Sequence, residues 1–358
     1  MAADSISTDA APRAIRLADY APPAFLIDTV DLNFELDETA TKVVAKLALR
    51  RNPAAPPQSP LHLDGEALTL VRITRDGSTL APAAYQATKG ALTIPDMPDV
   101  CVLEIETRLS PKDNTELSGL YVSGGNYFTQ CEAQGFRRIT YFPDRPDVMS
   151  RYTTTIVGPC PVMLSNGNPG PVTDLGDGRR SVTWVDPHPK PCYLFALVAG
   201  DLVAVNDSFV TRSGRDVKLG IYVRRGDEDR CGHAMRSLKT SMKWDEDVFG
   251  LEYDLDVFNI AAVSDFNMGA MENKGLNVFN TKYVLARPET ATDSDYQGIE
   301  TVIAHEYFHN WTGNRITCRD WFQLTLKEGL TVFRDQEFSA DMSSGFAEGR
   351  EDATAAAV

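Results

Sequence analysis

Only five histidines occur in the 358 residues, and two of them stand four apart in His305-Glu306-Tyr307-Phe308-His309. On an α-helix, residues four apart share a face, so both imidazoles can reach one ion. Glu306, one position on from His305, can then meet water at that ion without being a ligand. Two histidines and a glutamate in this arrangement form the pattern of a zinc hydrolase helix. A catalytic zinc takes three protein ligands and keeps one position open. Glu328 follows His309 after 18 intervening residues, in Leu326-Lys327-Glu328-Gly329-Leu330. A helix–loop–helix turn could bring its carboxylate to the same ion. A surface pair of histidines with an unrelated glutamate is the competing reading. The ligand types favour zinc, one ion per chain, although cobalt or manganese could occupy such a site in vitro. His62, His188 and His233 have no partner at ligand spacing and read as structural or surface residues.

Upstream lies Gly269-Ala270-Met271-Glu272-Asn273. Gly269 lets another backbone come close, and the segment could offer main-chain hydrogen bonds to an extended peptide. Glu272 adds a fixed negative charge. On these residues alone the segment is equally well an ordinary loop carrying one acid.

The elements that must position these groups change character along the chain. Val30, Leu32, Phe34 and Leu36 alternate with polar residues, as do Val43, Ala45, Leu47 and Leu49, and Cys101, Leu103 and Ile105. Period-two alternation predicts strands with one wet face. Asp76-Gly77 and Asp177-Gly178 are hairpin signals, because glycine accepts the positive φ such turns require. Residues 1–203 therefore read as an antiparallel β sandwich or saddle-shaped sheet. From 204 to 358 the pattern is mixed α+β. Met235, Leu238 and Met242 predict a helix ending near Gly250. A second is predicted over about 294–310 with Asp293 as N-cap and Gly313 just past its end. A third is predicted over about 326–340, and strand-like segments fall near 257–263 and 276–284.

Thirty-five Lys and Arg against 50 Asp and Glu give a formal net charge of −15. That balance argues against nucleic acid or an anionic membrane as main partner. Hydrophobic residues make up 43%, enough for a sizeable core in two domains. Met1–Tyr20 carries Asp4, Asp9 and Asp19 and no apolar core, unlike a secretory signal. The apolar stretch 194–205 is too short to span a bilayer. The six cysteines show no metal or redox spacing and read as reduced thiols of a cytoplasmic protein. Oligomeric state is not legible.

Gly269–Asn273, followed by His305–His309 and Glu328, resembles the gluzincin zinc aminopeptidase family, in its bacterial branch. Further stretches carry the resemblance: Gln130–Ala133, Phe136–Phe142, Ser241–Tyr253, Asn267–Asn280 and Ala304–Phe338. Zinc-dependent epoxide hydrolases share the motif pair, and the longer stretches favour the aminopeptidases. The resemblance implies a thermolysin-like catalytic domain after the β domain. It implies that His305, His309 and Glu328 are zinc ligands and that Glu306 is the general base. Glu132 and Glu272 would bind the α-ammonium of a peptide with a free N-terminus. Gln130 and Met268 would line the pocket for its first side chain, and Gly269 and Ala270 would hold its backbone. Met271 and Asn273 belong to the same substrate-binding segment. An exopeptidase must count from the chain end, and the α-ammonium is the mark found there; two carboxylates at a fixed distance from the metal read it.

The resemblance also marks a departure. The family places an oxyanion-stabilising tyrosine and a further helical lobe well beyond the third ligand, whereas 30 residues follow Glu328 here and none is a tyrosine. Ser343–Val358 does not resemble the family's continuation. The expectation is an incomplete catalytic domain with an exposed apolar face. Its alternative function is to bind zinc and peptide N-termini without efficient turnover. A zinc endopeptidase is disfavoured, because Glu132 and Glu272 would be left unpaired against an interior peptide.

Overall fold

The computed structural model describes residues 14–355, with side chains over 14–343. Most of the region read for a secretory signal, and the side chains of the tail, lie outside the described residues. The chain is α+β: a mostly β N-terminal part followed by a smaller part built on three helices.

Strand Phe25–Glu35 forms the middle of a nine-stranded sheet. Its apolar positions face apolar partners on Thr41–Arg51, with Val30 opposite Leu47, Leu32 opposite Ala45 and Phe34 opposite Val43. Val100–Leu109 continues the register, Leu103 against Leu47 and Ile105 against Ala45. All of these side chains are buried, as the alternation requires. The sheet departs from the antiparallel expectation at one place, where Phe25–Glu35 runs parallel to Ser150–Gly158. A parallel neighbour needs a long crossover, and the strands between residues 41 and 130 supply it. Both predicted hairpins form. Arg75 pairs with Ser78 across a two-residue turn in which Asp76 and Gly77 have φ of 49° and 79°. Asp174 pairs with Arg180 around Gly176 and Gly178.

A second sheet carries the smaller part, in the order Val203–Val210, Asp216–Val223, Val257–Val263, Leu276–Asn280, Ala270–Met271. Its first and last pairings are antiparallel and the two between are parallel. Its two faces serve different cores. Phe258, Ile260 and Ala262 pack with the helices, whereas Ala261, Val263, Leu276 and Val278 join the core of the large β part. Alternation along a strand thus seats the helices against the β scaffold through one sheet.

Helix α1, Gly232–Val248, crosses between two parallel strands and buries Met235, Leu238 and Met242. Helix α2 spans Asp293–Phe308. Its N-cap is Thr292, not the expected Asp293. Asp295 donates its backbone N–H to Thr292 Oγ1, while Asp295 Oδ2 accepts from the Thr292 amide at 2.8 Å. This reciprocal capping box satisfies two otherwise orphaned donors. Helix α3 runs from Leu324 to Ala355, well past the predicted end. Arg334 of α3 donates to Phe308 O at the end of α2, 2.8 Å, and pairs with buried Asp245 of α1. One guanidinium therefore joins all three helices. Leu326, Leu330 and Phe333, on one face of α3, are exposed. Among the described residues no helix is long and apolar enough to cross a membrane, and all six cysteines are free and buried.

Candidate metal and amino-group site

Helix α2 delivers His305 in its last turn and ends on His309 as C-cap. His305 Nε2 and His309 Nε2 face each other at 3.0 Å, and Glu328 Oε2 of α3 lies 3.4 Å from each. The opposite ring nitrogens are engaged. His305 Nδ1 is 2.6 Å from Asp335 Oδ2, and His309 Nδ1 donates to Thr312 O at 2.8 Å. Thr331 Oγ1 lies 3.2 Å from the same His309 nitrogen. With protons held at Nδ1, both Nε2 lone pairs point at one another and at a carboxylate oxygen. A cation resolves that arrangement. Ligand bonds of about 2 Å at tetrahedral angles separate ligand atoms by roughly 3.3 Å, so the donor set fits a zinc ion.

Glu306 is turned inward, 7% exposed, and its Oε2 has no hydrogen-bond partner among the described residues. Burial pushes its carboxyl up to about 8, against the opposing pull of His305. Glu272, Glu306 and His309 offer oxygen and nitrogen atoms within 4.8 Å of one another, as do Glu132, Glu272 and Glu328. The acids of the two sequence motifs therefore adjoin the histidine pair.

Glu132 follows strand Asn126–Gln130 of the β part, and Glu272 follows the edge strand Ala270–Met271. They meet at Lys327 of α3, whose Nζ lies 3.0 Å from Glu132 Oε1, 2.6 Å from Glu328 Oε1 and against Glu272 Oε1. Burial and the Glu272 charge raise the Glu132 carboxyl to about 7, with Lys327 opposing. For Glu272, burial works the same way, but Lys327 and His309 together outweigh it and hold the group below the usual carboxylate range.

Ala270 and Met271 pair with Phe279 and Val278 on one side only, at the end of the sheet order. An edge strand is where an extended peptide can add. Gly269 O accepts from the Asn280 amide, 2.9 Å, and a Cβ on Gly269 would sit 3.1 Å from the Tyr283 ring. Gln130 is buried, donating weakly to Met271 Sδ at 3.7 Å while its Oε1 is unpartnered among the described residues. Met268 is 44% exposed, and Met271 is buried.

Asn273 is fully buried and donates to Phe195 O at 3.2 Å. Asn166 of the β part donates to Lys274 O, and Asn314 donates to Glu272 O, each at 2.9 Å. Lys274 reaches Asp254 and Asn310 Oδ1, the latter at 2.7 Å. The loop carrying Glu272 is thus tied to the β part and to the residue after His309. The remaining histidines lie elsewhere: His62 beside Thr93, His188 beside Asp254, and His233 against Tyr296 O.

Sequence reasoning missed Lys327, Asp335 and Thr331. Asp335 stands seven positions after Glu328, on the same face of α3, which is a readable signal once Glu328 is placed. Lys327 carries no such signal, because a lysine beside a glutamate on a helix is ordinarily solvated.

Residues 28–194 match the Peptidase M1 N-terminal domain, and residues 233–357 match the Peptidase family M1 domain. The chain is 58% identical to aminopeptidase N of Caulobacter vibrioides over 92% of its own length and 38% of that relative. It is 56% identical to aminopeptidase N of Escherichia coli, over 93% of its length and 38% of that protein. The crystal structure of Legionella pneumophila aminopeptidase A in complex with aspartic acid superposes with a TM-score of 0.88 at 40% identity, covering 91% of this chain and 39% of that one. The chain therefore spans under two fifths of the length of these relatives. Two domain matches in chain order, with high identity across nearly all the residues, establish that the chain belongs to peptidase family M1.

Proposed function

We propose that this chain carries the catalytic centre of a zinc metalloaminopeptidase, which hydrolyses the N-terminal residue from peptides. The observation that carries this reading is the adjacency of the two clusters. Three convergent ligand atoms on His305, His309 and Glu328 stand next to paired acids, Glu132 and Glu272, contributed by separate parts of the fold. The same adjacency supports an α-ammonium subsite at a fixed distance from the metal. Residues 1–203 are proposed as the β domain and 204–358 as the catalytic domain, in keeping with the change of sheet at Val203.

His305, His309 and Glu328 would hold one zinc ion, with Asp335 and Thr312 orienting the imidazoles. When bound there, zinc supplies a Lewis acid for the scissile carbonyl and acidifies water. Glu306, with an unpaired Oε2 and a raised proton affinity, takes a proton from water and passes it to the leaving amine. Glu132 and Glu272 hold the peptide's α-ammonium and reject an interior segment that lacks one. Ala270, in the edge strand, aligns the peptide backbone, with Gly269 allowing its approach. Gln130, Met268 and Met271 line the pocket for the first side chain, and Asn273 holds the loop in place. The free, buried cysteines support a cytoplasmic setting.

The test is to load the chain with zinc, measure metal per chain, and assay L-leucine p-nitroanilide beside its N-acetyl derivative. One zinc per chain and cleavage of the free amine alone are expected. Cleavage of the acetylated substrate would favour an endopeptidase. Zinc uptake with no cleavage of either would make the chain a binding segment without turnover.

A further inference from the structure

The proposed amino-group subsite is already filled by a cation of the chain's own. Lys327 has a side chain only 1% exposed, and its ammonium meets Glu132, Glu272 and Glu328 together. The Tyr193 ring closes the pocket, 5.4 Å from Nζ. A primary ammonium has three donors; this one donates to Glu272 and forms ion pairs with Glu132 and Glu328. A peptide's α-ammonium is the same chemical group, seeking the same oxygens. Both cannot be satisfied at once.

The three acids are not equally reachable. The Glu272 side chain is 4% exposed, whereas those of Glu132 and Glu328 are 13% and 36% exposed. The open side of the cluster is therefore Glu132 and Glu328, and the closed side is Glu272. We propose that Lys327 is a resident occupant of the amino-group pocket, which an incoming amino terminus, entering from the side of Glu132 and Glu328, must displace from Glu132 and Glu272. This inference rests on the reading of Glu132 and Glu272 as the α-ammonium subsite.

Two consequences follow from charge. In the empty pocket Lys327 holds Glu132 and Glu272 together against their mutual repulsion, so the subsite is preformed. In the same act it weakens the pocket for amines, because the entering cation meets a partly neutralised site. Lys327 is thus a positioning residue that sets selectivity and affinity for the amino terminus.

The experiment uses the full chain loaded with zinc. Binding of L-leucinamide and N-acetyl-L-leucinamide is measured by calorimetry for the wild type and for K327M, which keeps the stem and removes the charge. Wild type should prefer the free amine. K327M should bind L-leucinamide about tenfold more tightly or better, the scale set by one charge a few ångströms away. Unchanged or weaker binding in K327M overturns the inference, since a merely structural lysine would lower affinity when lost. As a second variant, K327A should gain thermal stability from n-propylammonium but not from propan-1-ol, and should gain more than wild type does. No amine response in K327A also overturns it. If wild type fails to distinguish the two amides, the proposed function fails instead, and the K327A arm still tests the occupancy of the pocket by an ammonium.

Discussion

His305 Nδ1 lies 2.6 Å from Asp335 Oδ2, across the junction between α2 and α3. The contact fixes which imidazole nitrogen keeps its proton and turns Nε2 toward Glu328. It also couples the ring to α3, the helix that supplies the proposed third ligand atom on Glu328, so the placing of the three donor atoms depends on helix packing.

Loss of this contact should loosen the metal without unfolding the chain. D335N is expected to weaken zinc affinity by about 10- to 100-fold, the usual cost of removing such an orienting partner. A competitive chelator titration measures it. Wild-type affinity in D335N would show that the carboxylate does not orient His305.

Glu306 predicts a different separation of effects. E306Q should retain zinc at wild-type stoichiometry and lose turnover of L-leucine p-nitroanilide by at least about a hundredfold, since general base catalysis contributes on that scale. Metal analysis and the rate are to be measured on one sample. Normal turnover in the glutamine variant would remove Glu306 from its role.

Gly313 has φ of 142°, and a Cβ placed there would lie 2.7 Å from His309 Nδ1 and 3.2 Å from Lys327 Cγ. G313A should displace the His309 ring from Thr312 O. The expected result is weaker zinc binding together with a lower unfolding temperature, read by titration and by thermal unfolding of the metal-free chain. Zinc affinity equal to wild type would mean that the loop yields without moving the ring.

Asp254 provides a pH prediction. It binds Lys274 and Arg315, with His188 Nε2 at 3.5 Å. Burial alone would raise its carboxyl, but Lys274 and Arg315 outweigh this and hold it below the usual carboxylate range. Because the folded value is depressed, the stabilisation is fully present above the unfolded value of about 3.9 and fades as pH falls through the folded one. D254N should lose about 3 kcal/mol near neutrality, because Lys274 stays buried without its partner. The gap to wild type should narrow in unfolding curves taken below about pH 4. A gap that does not change with pH would rule out this ionic origin.

Much of the fold was legible because the signals are local. Val30, Leu32 and Phe34 alternate in the sequence and face Leu47, Ala45 and Val43 in the sheet. The parallel entry of Ser150–Gly158 beside Phe25–Glu35 was not legible, since no local pattern tells which distant strand will pair. Thr292, rather than Asp293, caps α2 because the two oxygens compete for the same donors and only backbone geometry decides between them. The length of α3 was underestimated, because residues 343–355 lack the apolar stripe by which a helix is read.

The histidine pair was determined by the sequence itself, because one helical turn sets which side chains share a face, and Glu328 could be singled out there as a candidate partner on the next helix. Chemistry carried on a single element, or on two adjacent ones, can be read in this way. The family resemblance, not residue spacing, anticipated that Glu132 of the β part meets Glu272 of the edge loop; the tertiary structure alone decided that Asp335 lies against His305 and that Lys327 is buried among three carboxylates rather than solvated. Those relationships join segments well apart in the chain. They depend on how the second sheet seats α2 and α3 against the β scaffold, and no spacing of residues encodes that directly.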